Sequence, residues 1–302
     1  WISLGLMSGT SGDGVDTSII STNGINHYET IKDKYFEYDI DIYKDIHNLK
    51  DKINNIYHLK KFKKEINDIE RKITIFHAKI IKELQISNET IVGFHGQTIY
   101  HNAKEKISKQ LGDGKLLNQL TNKNIVYNFR KNDILNGGSG APIIPIYHQI
   151  IANQLQIDPV IFVNIGGVTN ITIIDKGKII AGDSSFGNAI INDLLISKTN
   201  YEIDYNGNIS NSGKKISKIF DLIFNDNFFK KDFPKSLDRN YFHHYLKEIE
   251  ENYLIEDIIY TLLAIIPNSI SKILSNKKKY KIILMGGGRK NLTLVKFFEE
   301  IF

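Results

Sequence analysis

The length, composition and charge of the chain exclude several classes of protein. Its 302 residues, 41% of them hydrophobic, suffice for one large domain or two medium domains with well-formed cores. The formal charge of +5 arises from 39 basic and 34 acidic residues that largely interleave, which indicates solvated helix faces and predicts no nucleic-acid partner. The chain has no cysteine, which excludes disulfides and thiolate metal ligands and suits a cytoplasmic protein. The longest apolar run, residues 258–266, is too short to cross a bilayer, so no membrane partner is expected.

The first half of the chain alternates strand patterns with helical ones, which is typical of an α/β fold. Strands are predicted at ISLGLMS, GVDTSIIS and NHYETIKDKYFEYD, with a glycine-rich turn between the first two. Apolar residues spaced by three and four predict helices over about residues 41–86. Two more strands, TIVGFHG and NIVYNFR, flank a short helix at DGKLLNQLTN. The Gly- and Pro-containing segment 136–145 is the best candidate for a domain boundary.

The second half begins again with the same pattern. PVIFVNIGG, TNITIID and KIIAGD predict three consecutive strands, helices are expected from about residue 187 to 275, and YKIILMGGG predicts a late buried strand. Both halves therefore open with a strand, a glycine turn and a second strand, which is a weak internal repeat.

Three glycine-rich turns have the composition of a nucleotide site. Glycine lets backbone amides approach a phosphate closely, and successive amides in a tight turn form an anion-binding concavity. The hydroxyls of Thr10 and Ser11 add donors, and Asp13 or Asp16 could hold Mg²⁺ directly or through water. The third turn, residues 285–291, would let a nucleoside lie against the backbone. Any one of these turns alone is more often an ordinary glycine hairpin, but their order in a doubled pattern favours phosphate binding.

The two-hairpin arrangement resembles the superfamily shared by actin, sugar kinases and heat-shock chaperone ATPases, whereas no P-loop or properly placed Rossmann fingerprint occurs. More narrowly, the chain is similar to the anhydro-N-acetylmuramic acid kinase family. The motifs that carry this resemblance are GLMSGTSGDGVD, GFHGQTIYH, QLGDG, NFRKNDILNGGSGAPIIPIYH, VNIGGVTNIT, GDSSFGNAIIND, PKSLDRNYF and MGGGRKN. The resemblance implies a two-domain actin-like α/β fold with a duplicated mixed-sheet core and an ATP cleft between domains 1–130 and 131–302.

The family resemblance also implies a reaction. Its members take 1,6-anhydro-N-acetylmuramic acid from peptidoglycan recycling, open the intramolecular ether with water, and use Mg²⁺ and ATP to place phosphate on O6. A glycosidase needs two carboxylates, but here the departing O6 is captured by the γ-phosphoryl group, so only a base for water remains. The family's catalytic aspartate begins a D-T-G-P-G-N motif, which matches DSSFGN and makes Asp183 the expected general base. The alternative is that Asp183 caps the helix expected at 187–198.

The resemblance assigns ATP contacts to the three glycine turns. Asp13 is the expected Mg²⁺ contact, although an aspartate in such a turn often only caps its own backbone. The expected ATP-binding residues are Gly9, Thr10, Ser11, Gly12, Asp13 and Gly14 in the first turn, Asn164, Gly166 and Gly167 in the second, and Gly286, Gly287 and Gly288 at the adenosine.

Three further residues are expected on the sugar side. The planar guanidinium of Arg130 suits the lactyl carboxylate of the substrate, and its rival role is a structural bridge to Asp133. His95 and Gln97 offer hydrogen bonds to hydroxyl or acetamido groups, with a satisfied interior histidine as the alternative for His95. The spacing of His95 and His101 fits no metal site. The resemblance suggests a homodimer.

Departures from the family pattern keep two other functions open. Gly12 replaces a leucine, Asn128 an aspartate, and Ser185-Phe186 a Gly-Pro pair beside the catalytic aspartate. One alternative is therefore a kinase for another 1,6-anhydrosugar, which would not need Arg130. The other is a catalytically degraded ATP-binding regulatory protein.

Both ends of the chain are unusual. The sequence begins at Trp1 instead of methionine, which suggests that the N-terminus is missing, and the family normally continues with further helices after the last motif. A fragment, a natural truncation and a sequence without its tail are all compatible with these ends. The apolar residues Phe297, Phe298, Ile301 and Phe302 predict a helix whose covering partner is absent.

Overall fold

A computed structural model describes residues 1–9, 11–102, 104–249, 253–274 and 279–302. The chain divides into two compact units, Trp1–Ile143 and Ile144–Phe302. The division lies inside the Gly- and Pro-containing segment 136–145 and after the boundary expected at residue 130.

The first unit is built on a six-stranded mixed sheet. The order is β3-β2-β1-β4-β5, with β6 also paired to β4. The pairs β1–β2, β2–β3 and β4–β5 are antiparallel, whereas β1–β4 and β4–β6 are parallel. Its strands are β1 Ile2–Ser8, β2 Gly14–Thr22, β3 Tyr28–Glu37, β4 Ile91–Asn102, β5 Ile107–Leu111 and β6 Asn124–Tyr127.

Helices cover one face of this sheet. On the third helix, Ile66, Ile69 and Ile73 recur at helical spacing and are buried, which is why this polar sequence folds onto the sheet. They join a core that includes Leu4 and Phe94. The helices of the unit are α1 Ile40–Lys52, α2 Ile56–Lys61, α3 Lys63–Leu84, α4 Gly114–Thr121 and α5 Phe129–Leu135.

The second unit repeats the topology of the first. Its sheet has the order β10-β7-β8-β9, in which β7, β8 and β9 form an antiparallel meander and β10 lies parallel to β7. In the first unit β1, β2 and β3 form the same meander, and β4 takes the place of β10. The duplicated mixed-sheet core is therefore confirmed. The strands are β7 Val160–Ile165, β8 Val168–Asp175, β9 Lys178–Phe186 and β10 Lys281–Met285.

A long apolar helix forms the centre of the second core. Residues Leu262, Ile265 and Ile266 of this helix, α11, are fully buried. The expectation of an absent covering partner is wrong for Phe297 and Phe298, because both are buried and Phe297 packs edge-on against Tyr260 of α11, whereas Phe302 is 42% exposed. The helices are α6 Pro145–Gln154, α7 Asn188–Lys198, α8 Ser217–Phe224, α9 Asn227–Lys230, α10 Tyr245–Glu248, α11 Ile255–Ile273 and α12 Leu292–Ile301.

Short 3₁₀ turns connect several of these helices. Among the described residues no helix has both the length and the apolarity needed to cross a bilayer. The 3₁₀ turns lie at Tyr205–Gly207, Ser210–Ser212, Tyr241–His244 and Gly287–Lys290.

Two elements of the first unit differ from the sequence prediction. The strand expected at NIVYNFR ends at Tyr127, because Asn128 adopts a left-handed conformation (φ 63°) that asparagine tolerates, and α5 begins at Phe129. Strand β5 was not expected, because its ISKQL sequence is polar and half-buried, without an alternating apolar pattern.

Candidate active site

Asp183 lies on β9 and is held by a backbone segment that follows α9. The amide of Asp183 donates to the carbonyl of Lys235, and its Oδ2 accepts from the amide of Leu237, both at 2.8 Å. Burial raises the pKa of Asp183 to about 6, and the Leu237 N–H acts in the opposite direction because it stabilises the carboxylate. A carboxylate with a pKa in this range is suited to accept a proton from water near neutral pH.

The capping alternative for Asp183 is wrong. Helix α7 begins at Asn188 and its N-cap is Gly187, whereas Asp183 belongs to the preceding strand. A β-bulge next to Asp183 changes the strand: Asn170 pairs with Asp183 and Thr169 with Ser185, so Ser184 is the extra residue. Bulges of this kind reorient a side chain beside a site.

The phenylalanine that replaces the family's proline does not lie beside the carboxylate. Phe186 is buried in the core of the second unit, where its ring packs edge-on against Phe242 at 5.2 Å. The substitution therefore fills the core and leaves Asp183 on the strand edge that faces Leu237.

The second glycine turn and the N-terminus of α7 are joined through the backbone. The carbonyl of Gly166 accepts from the amide of Asn188 at 2.7 Å, and the carbonyl of Gly167 accepts from the amide of Gly187 at 3.0 Å. A Cβ on Gly187 would lie 2.4 Å from the Gly166 carbonyl oxygen, so this close approach requires glycine. Because a trans peptide directs C=O and N–H to opposite sides, the Gly167 N–H points away from α7.

The third glycine turn packs directly against the second. Gly286 has φ +75°, and a Cβ there would lie 2.6 Å from the Ile165 carbonyl oxygen and 2.8 Å from Oδ1 of Asn164. Asn188 stands beside Gly287 and donates from Nδ2 to the Ile165 carbonyl at 3.3 Å. The second unit therefore brings together the expected residues Asn164, Gly166, Gly167, Gly286, Gly287 and Gly288.

The first glycine turn connects β1 to β2. Thr10, one of its expected hydroxyl donors, lies outside the described residues. Gly12 closes the turn by donating from its amide to the Gly9 carbonyl at 3.2 Å. Gly12 has φ +71°, and a Cβ there would lie 3.1 Å from Nζ of Lys50. The glycine that replaces the family's leucine thus fits a left-handed turn packed against α1.

Asp13 is an exposed acidic group of the first turn. Its Oδ1 accepts from the Ser11 hydroxyl at 2.6 Å, which is a contact between side chains and not a cap on its own backbone. Burial and the nearby Asp13 carboxylate raise the pKa of Asp16, so the two acids lie close enough to repel one another. Burial lowers the pKa of Lys50, and Asp13 acts in the opposite direction. No group of three His, Cys, Asp or Glu side chains suited to a metal occurs within the described part of the chain.

Gln97 connects the first turn to β4. Its fully buried side chain donates from Nε2 to the Gly9 carbonyl at 2.9 Å and to the Thr98 carbonyl at 3.3 Å. Both amide protons are therefore used, and among the described residues Oε1 has no partner. The residue expected on the sugar side thus holds the first glycine turn in place.

The buried His95 of β4 and the half-buried Arg130 at the start of α5 form a pair. His95 Nδ1 lies 2.6 Å from the Gly96 carbonyl, and Nε2 accepts from Nε of Arg130 at 2.9 Å. Burial, then the Arg130 charge, lower the pKa of His95 to about 4, so the ring is neutral at pH 7. The satisfied interior histidine is the arrangement observed.

Arg130 makes no ion pair with Asp133, so the bridge alternative is wrong. Both residues instead bind Gly140: Arg130 Nη1 donates to its carbonyl at 2.9 Å, and Asp133 Oδ2 accepts from its amide at 2.7 Å. Two of the five guanidinium protons of Arg130 are used in its two side-chain bonds, which leaves three for a carboxylate.

A hollow of about 660 Å³ lies on the open face of the first sheet. Gly5 and Gly93, which pair across β1 and β4, are part of its lining, together with Phe129 and His95. The hollow belongs wholly to the first unit and does not involve Asp183.

Sequence reasoning assigned no role to Leu237, Asn188 or Lys50. The Leu237 amide holds the carboxylate, Asn188 ties α7 to the glycine turns, and Lys50 places an ammonium against the first turn. A backbone donor leaves no sequence signal, whereas Asn188 was visible as the last residue of the DSSFGN motif.

The doubled meander, with a glycine turn after the first strand of each sheet, defines an α/β protein of the actin-like class to which sugar kinases belong. The sequence profile of the anhydro-N-acetylmuramic acid kinase family matches residues 2–302. The chain therefore belongs to the anhydro-N-acetylmuramic acid kinase family, a family of phosphotransferases.

Two relatives carry that family name. The anhydro-N-acetylmuramic acid kinase of Pelagibacter ubique is 46% identical, over 99% of this chain and 83% of the relative. That of Zymomonas mobilis is 34% identical, over 99% of this chain and 84% of the relative.

Solved structures give a weaker likeness. A ROK family glucokinase from Streptomyces griseus in complex with glucose and AMPPNP has a TM-score of 0.42 at 10% identity, over 100% of this chain and 88% of that chain. The activator of the 2-hydroxyisocaproyl-CoA dehydratase from Clostridium difficile has a TM-score of 0.41 at 11% identity, over 99% and 85%. These TM-scores are low, and the fold class rests on the sheet topology and the family match.

Proposed function

We propose that this chain uses ATP to convert 1,6-anhydro-N-acetylmuramic acid into N-acetylmuramic acid 6-phosphate in peptidoglycan recycling. The observation that carries the proposal is the position of Asp183. This half-buried carboxylate, with a pKa raised to about 6, lies five residues before Asn188, which binds the second glycine turn. In this proposal the β9-to-α7 connection carries the proton acceptor and, through Asn188, contacts the β7-to-β8 turn that would bind phosphate.

The proposed reaction needs one base because the phosphoryl group captures the leaving oxygen. Asp183 takes a proton from water as the water oxygen bonds to C1 of the sugar. The C1–O6 bond breaks, O6 bonds to the γ-phosphorus, and ADP leaves. Atoms and charge balance without a second carboxylate, unlike in an ordinary glycosidase.

The glycine turns take the phosphates in this proposal. The Gly167 N–H, which points away from α7, is a donor suited to a phosphate oxygen. Ser11 and Thr10 add hydroxyls, and Lys50 adds positive charge beside Gly12. The proposed ATP contacts are Gly9, Thr10, Ser11, Gly12, Asp13 and Gly14 in the first turn, Asn164, Gly166 and Gly167 in the second, and Gly286, Gly287 and Gly288 at the adenosine.

Magnesium fits the residues of the first turn. Mg²⁺ keeps several waters and binds through one or two carboxylates plus substrate phosphates. The exposed Asp13 carboxylate matches that donor set together with Asp16, whose pKa is raised by burial and by the nearby Asp13 charge. We therefore assign Asp13 as the Mg²⁺ contact; the ion would neutralise phosphate charge during transfer.

The sugar contacts are proposed on the first unit. The guanidinium protons of Arg130 that have no partner among the described residues would bind the lactyl carboxylate, with Nε anchored on the neutral His95 ring. Gln97 would accept a substrate hydroxyl through Oε1, which lacks a partner among the described residues. We further propose that the protein acts in the cytoplasm as a homodimer and that its binding partner is the small-molecule anhydrosugar. Light scattering would test the oligomeric state.

A kinase for another 1,6-anhydrosugar is the second candidate. It is favoured by the engagement of Arg130 with His95 and Gly140, which gives this arginine a role without a lactyl group. A degraded ATP-binding protein has less support, because Phe186 lies in the core and not beside Asp183.

Product mass in ¹⁸O-labelled water tests the proposal. The protein is incubated with Mg²⁺, ATP and 1,6-anhydro-N-acetylmuramic acid. A phosphorylated sugar that carries the label at C1 is expected. Phosphorylation of a different anhydrosugar would favour the second candidate, and nucleotide binding without any sugar product would favour a regulatory protein.

A further inference from the structure

The segment that holds Asp183 runs from Phe233 to His244 and has a second anchor. Near its start, the Lys235 carbonyl and the Leu237 amide both bond Asp183 at 2.8 Å. Near its end, Nη2 of Arg239 lies 3.2 Å from both carboxylate oxygens of Asp193, and Nε2 of His243 lies 2.8 Å from Oδ2 of the same residue. Asp193 is on α7.

Helix α7 therefore contacts both the second glycine turn and the segment that holds Asp183. Its first residue, Asn188, donates to the second glycine turn, and Asp193, one turn later and half-buried, holds Arg239 and His243. Only Asp238 separates Leu237 from Arg239, so a shift of the Arg239 anchor moves the Leu237 amide. The side chain of His243 is 24% exposed, which shields this contact from solvent better than a surface ion pair.

We propose that Asp193 is a positioning residue for Asp183, acting through Arg239 and His243 to keep the Leu237 N–H on the catalytic carboxylate. This inference rests on the proposed function only in that it treats Asp183 as the catalytic base. The contact itself exists in the free protein, so it can be tested without turnover.

The expected effect has a definite sign. The Leu237 N–H stabilises the ionised carboxyl, so its loss raises the pKa of Asp183 further. Three titratable groups on the segment that holds Asp183 bond elsewhere: Lys235 Nζ donates to the carbonyls of Phe228 and Lys231, while Arg239 and His243 engage Asp193. The β8 neighbour of Asp183 is the neutral Asn170.

The test is a ¹³C NMR titration of the Asp183 carboxyl carbon in aspartate-labelled protein, with the resonance assigned by Asp183→Asn. Asp193→Ala is expected to raise the pKa of Asp183 by about one unit, the size of one hydrogen bond to a charged group. Asp193→Asn, which keeps one acceptor oxygen, should give a smaller shift. Asp221→Ala on α8, an exposed aspartate of the same unit, is the matched control and should leave the pKa unchanged.

Arg239→Met provides a second variant if Asp193→Ala does not fold, because the Arg239 side chain is 58% exposed and its replacement disturbs no core. An unchanged Asp183 pKa in a folded Asp193→Ala or Arg239→Met protein overturns the proposal. In the kinase assay, the acid limb of kcat/KM should move to higher pH by the same amount, with KM for ATP unchanged. If the parent protein makes no phosphorylated sugar, the proposed function fails while the titration still decides the role of Asp193.

Discussion

At the scale of single residues, Asp183 combines a cost in stability with a use in chemistry. Its pKa of about 6 exceeds the ordinary value of 3.8 because burial disfavours the charge. The folded protein must hold this charge near neutral pH, and the Leu237 amide compensates only part of the cost. Groups kept in such environments are frequent at functional sites.

Asp183→Asn should lower turnover by several orders of magnitude while ATP still binds. The change removes the base and leaves the three glycine turns intact. Steady-state kinetics and nucleotide titration of the same preparation measure both properties. Loss of ATP affinity with unchanged turnover would show that Asp183 belongs to the nucleotide site.

The same variant should gain stability at alkaline pH. Because the folded-state pKa of Asp183 is raised, its contribution to stability is fully present below pH 3.8 and is lost as pH rises through about 6. We expect Asp183→Asn to raise the free energy of unfolding at pH 8 by about 1–3 kcal/mol, and by much less near pH 4. Urea unfolding at the two pH values measures this, with Asp221→Asn as the control. Equal effects at both pH values would mean that the pKa of Asp183 is not raised.

At the scale of elements, the strand-to-turn connections carry the proposed site. Backbone contacts join the second glycine turn, the third glycine turn and the start of α7, and glycine permits the close approach of these segments. In the first unit, Gln97 of β4 does the equivalent work for the first turn. These contacts lie at the ends of strands, where the sheet supplies rigidity and the loops supply chemistry.

Gly286→Ala and Gly287→Ala form a matched pair that tests this packing. Alanine at 286 meets φ +75° and a carbonyl oxygen at 2.6 Å, whereas at 287 the nearest atom is 3.6 Å away. We expect Gly286→Ala to lower the free energy of unfolding by about 1–3 kcal/mol, and Gly287→Ala by less than about 1 kcal/mol. Denaturant unfolding in the absence of nucleotide measures the free energy of unfolding of both variants. Equal losses would show that turns two and three are not packed as described.

Arg130→Ala should separate substrate recognition from loop support. It removes the proposed carboxylate contact and also the bonds to His95 and Gly140. We expect KM for the muramic substrate to rise by about 10–100-fold, corresponding to about 1.5–3 kcal/mol for a hydrogen bond to a charged group. An analogue without the lactyl group should be affected much less. Equal losses on both sugars would favour the structural role of Arg130.

At the scale of the whole molecule, nucleotide binding separates the kinase from the regulatory alternative only when it is combined with turnover. Both readings require ATP to bind the folded chain, and a ligand at 100 times its Kd adds about 2.7 kcal/mol to stability. Only a kinase would also form a phosphorylated sugar. The two properties must therefore be measured on one preparation.

We expect a non-hydrolysable ATP analogue with Mg²⁺ to raise the unfolding temperature of the parent and of Asp183→Asn equally. Within the second unit the hydrogen bonds of Asp183 go to Lys235 and Leu237, so we expect its replacement to leave the nucleotide-binding turns of that unit intact. Thermal unfolding at several nucleotide concentrations measures the shift. A shift in the parent alone would place Asp183 in contact with the nucleotide.

The sequence by itself determined the doubled α/β pattern and the glycine turns, and its DSSFGN motif singled out Asp183 through the family resemblance. These features are local: glycine runs, alternating apolar strands and the DSSFGN motif are visible because backbone freedom and burial periodicity act over a few residues. The family resemblance extended them to a reaction.

Only the tertiary structure decided what each side chain contacts. Gln97 reaches Gly9, Arg130 holds His95 and Gly140, and Leu237 donates to Asp183 across 54 positions of sequence. The polar strand β5 and the covering of Phe297 by α11 were equally invisible. Such contacts join distant segments through sheet pairing and core packing, and neither the hydrogen-bond partner of a buried group nor its pKa is encoded in the residues next to it.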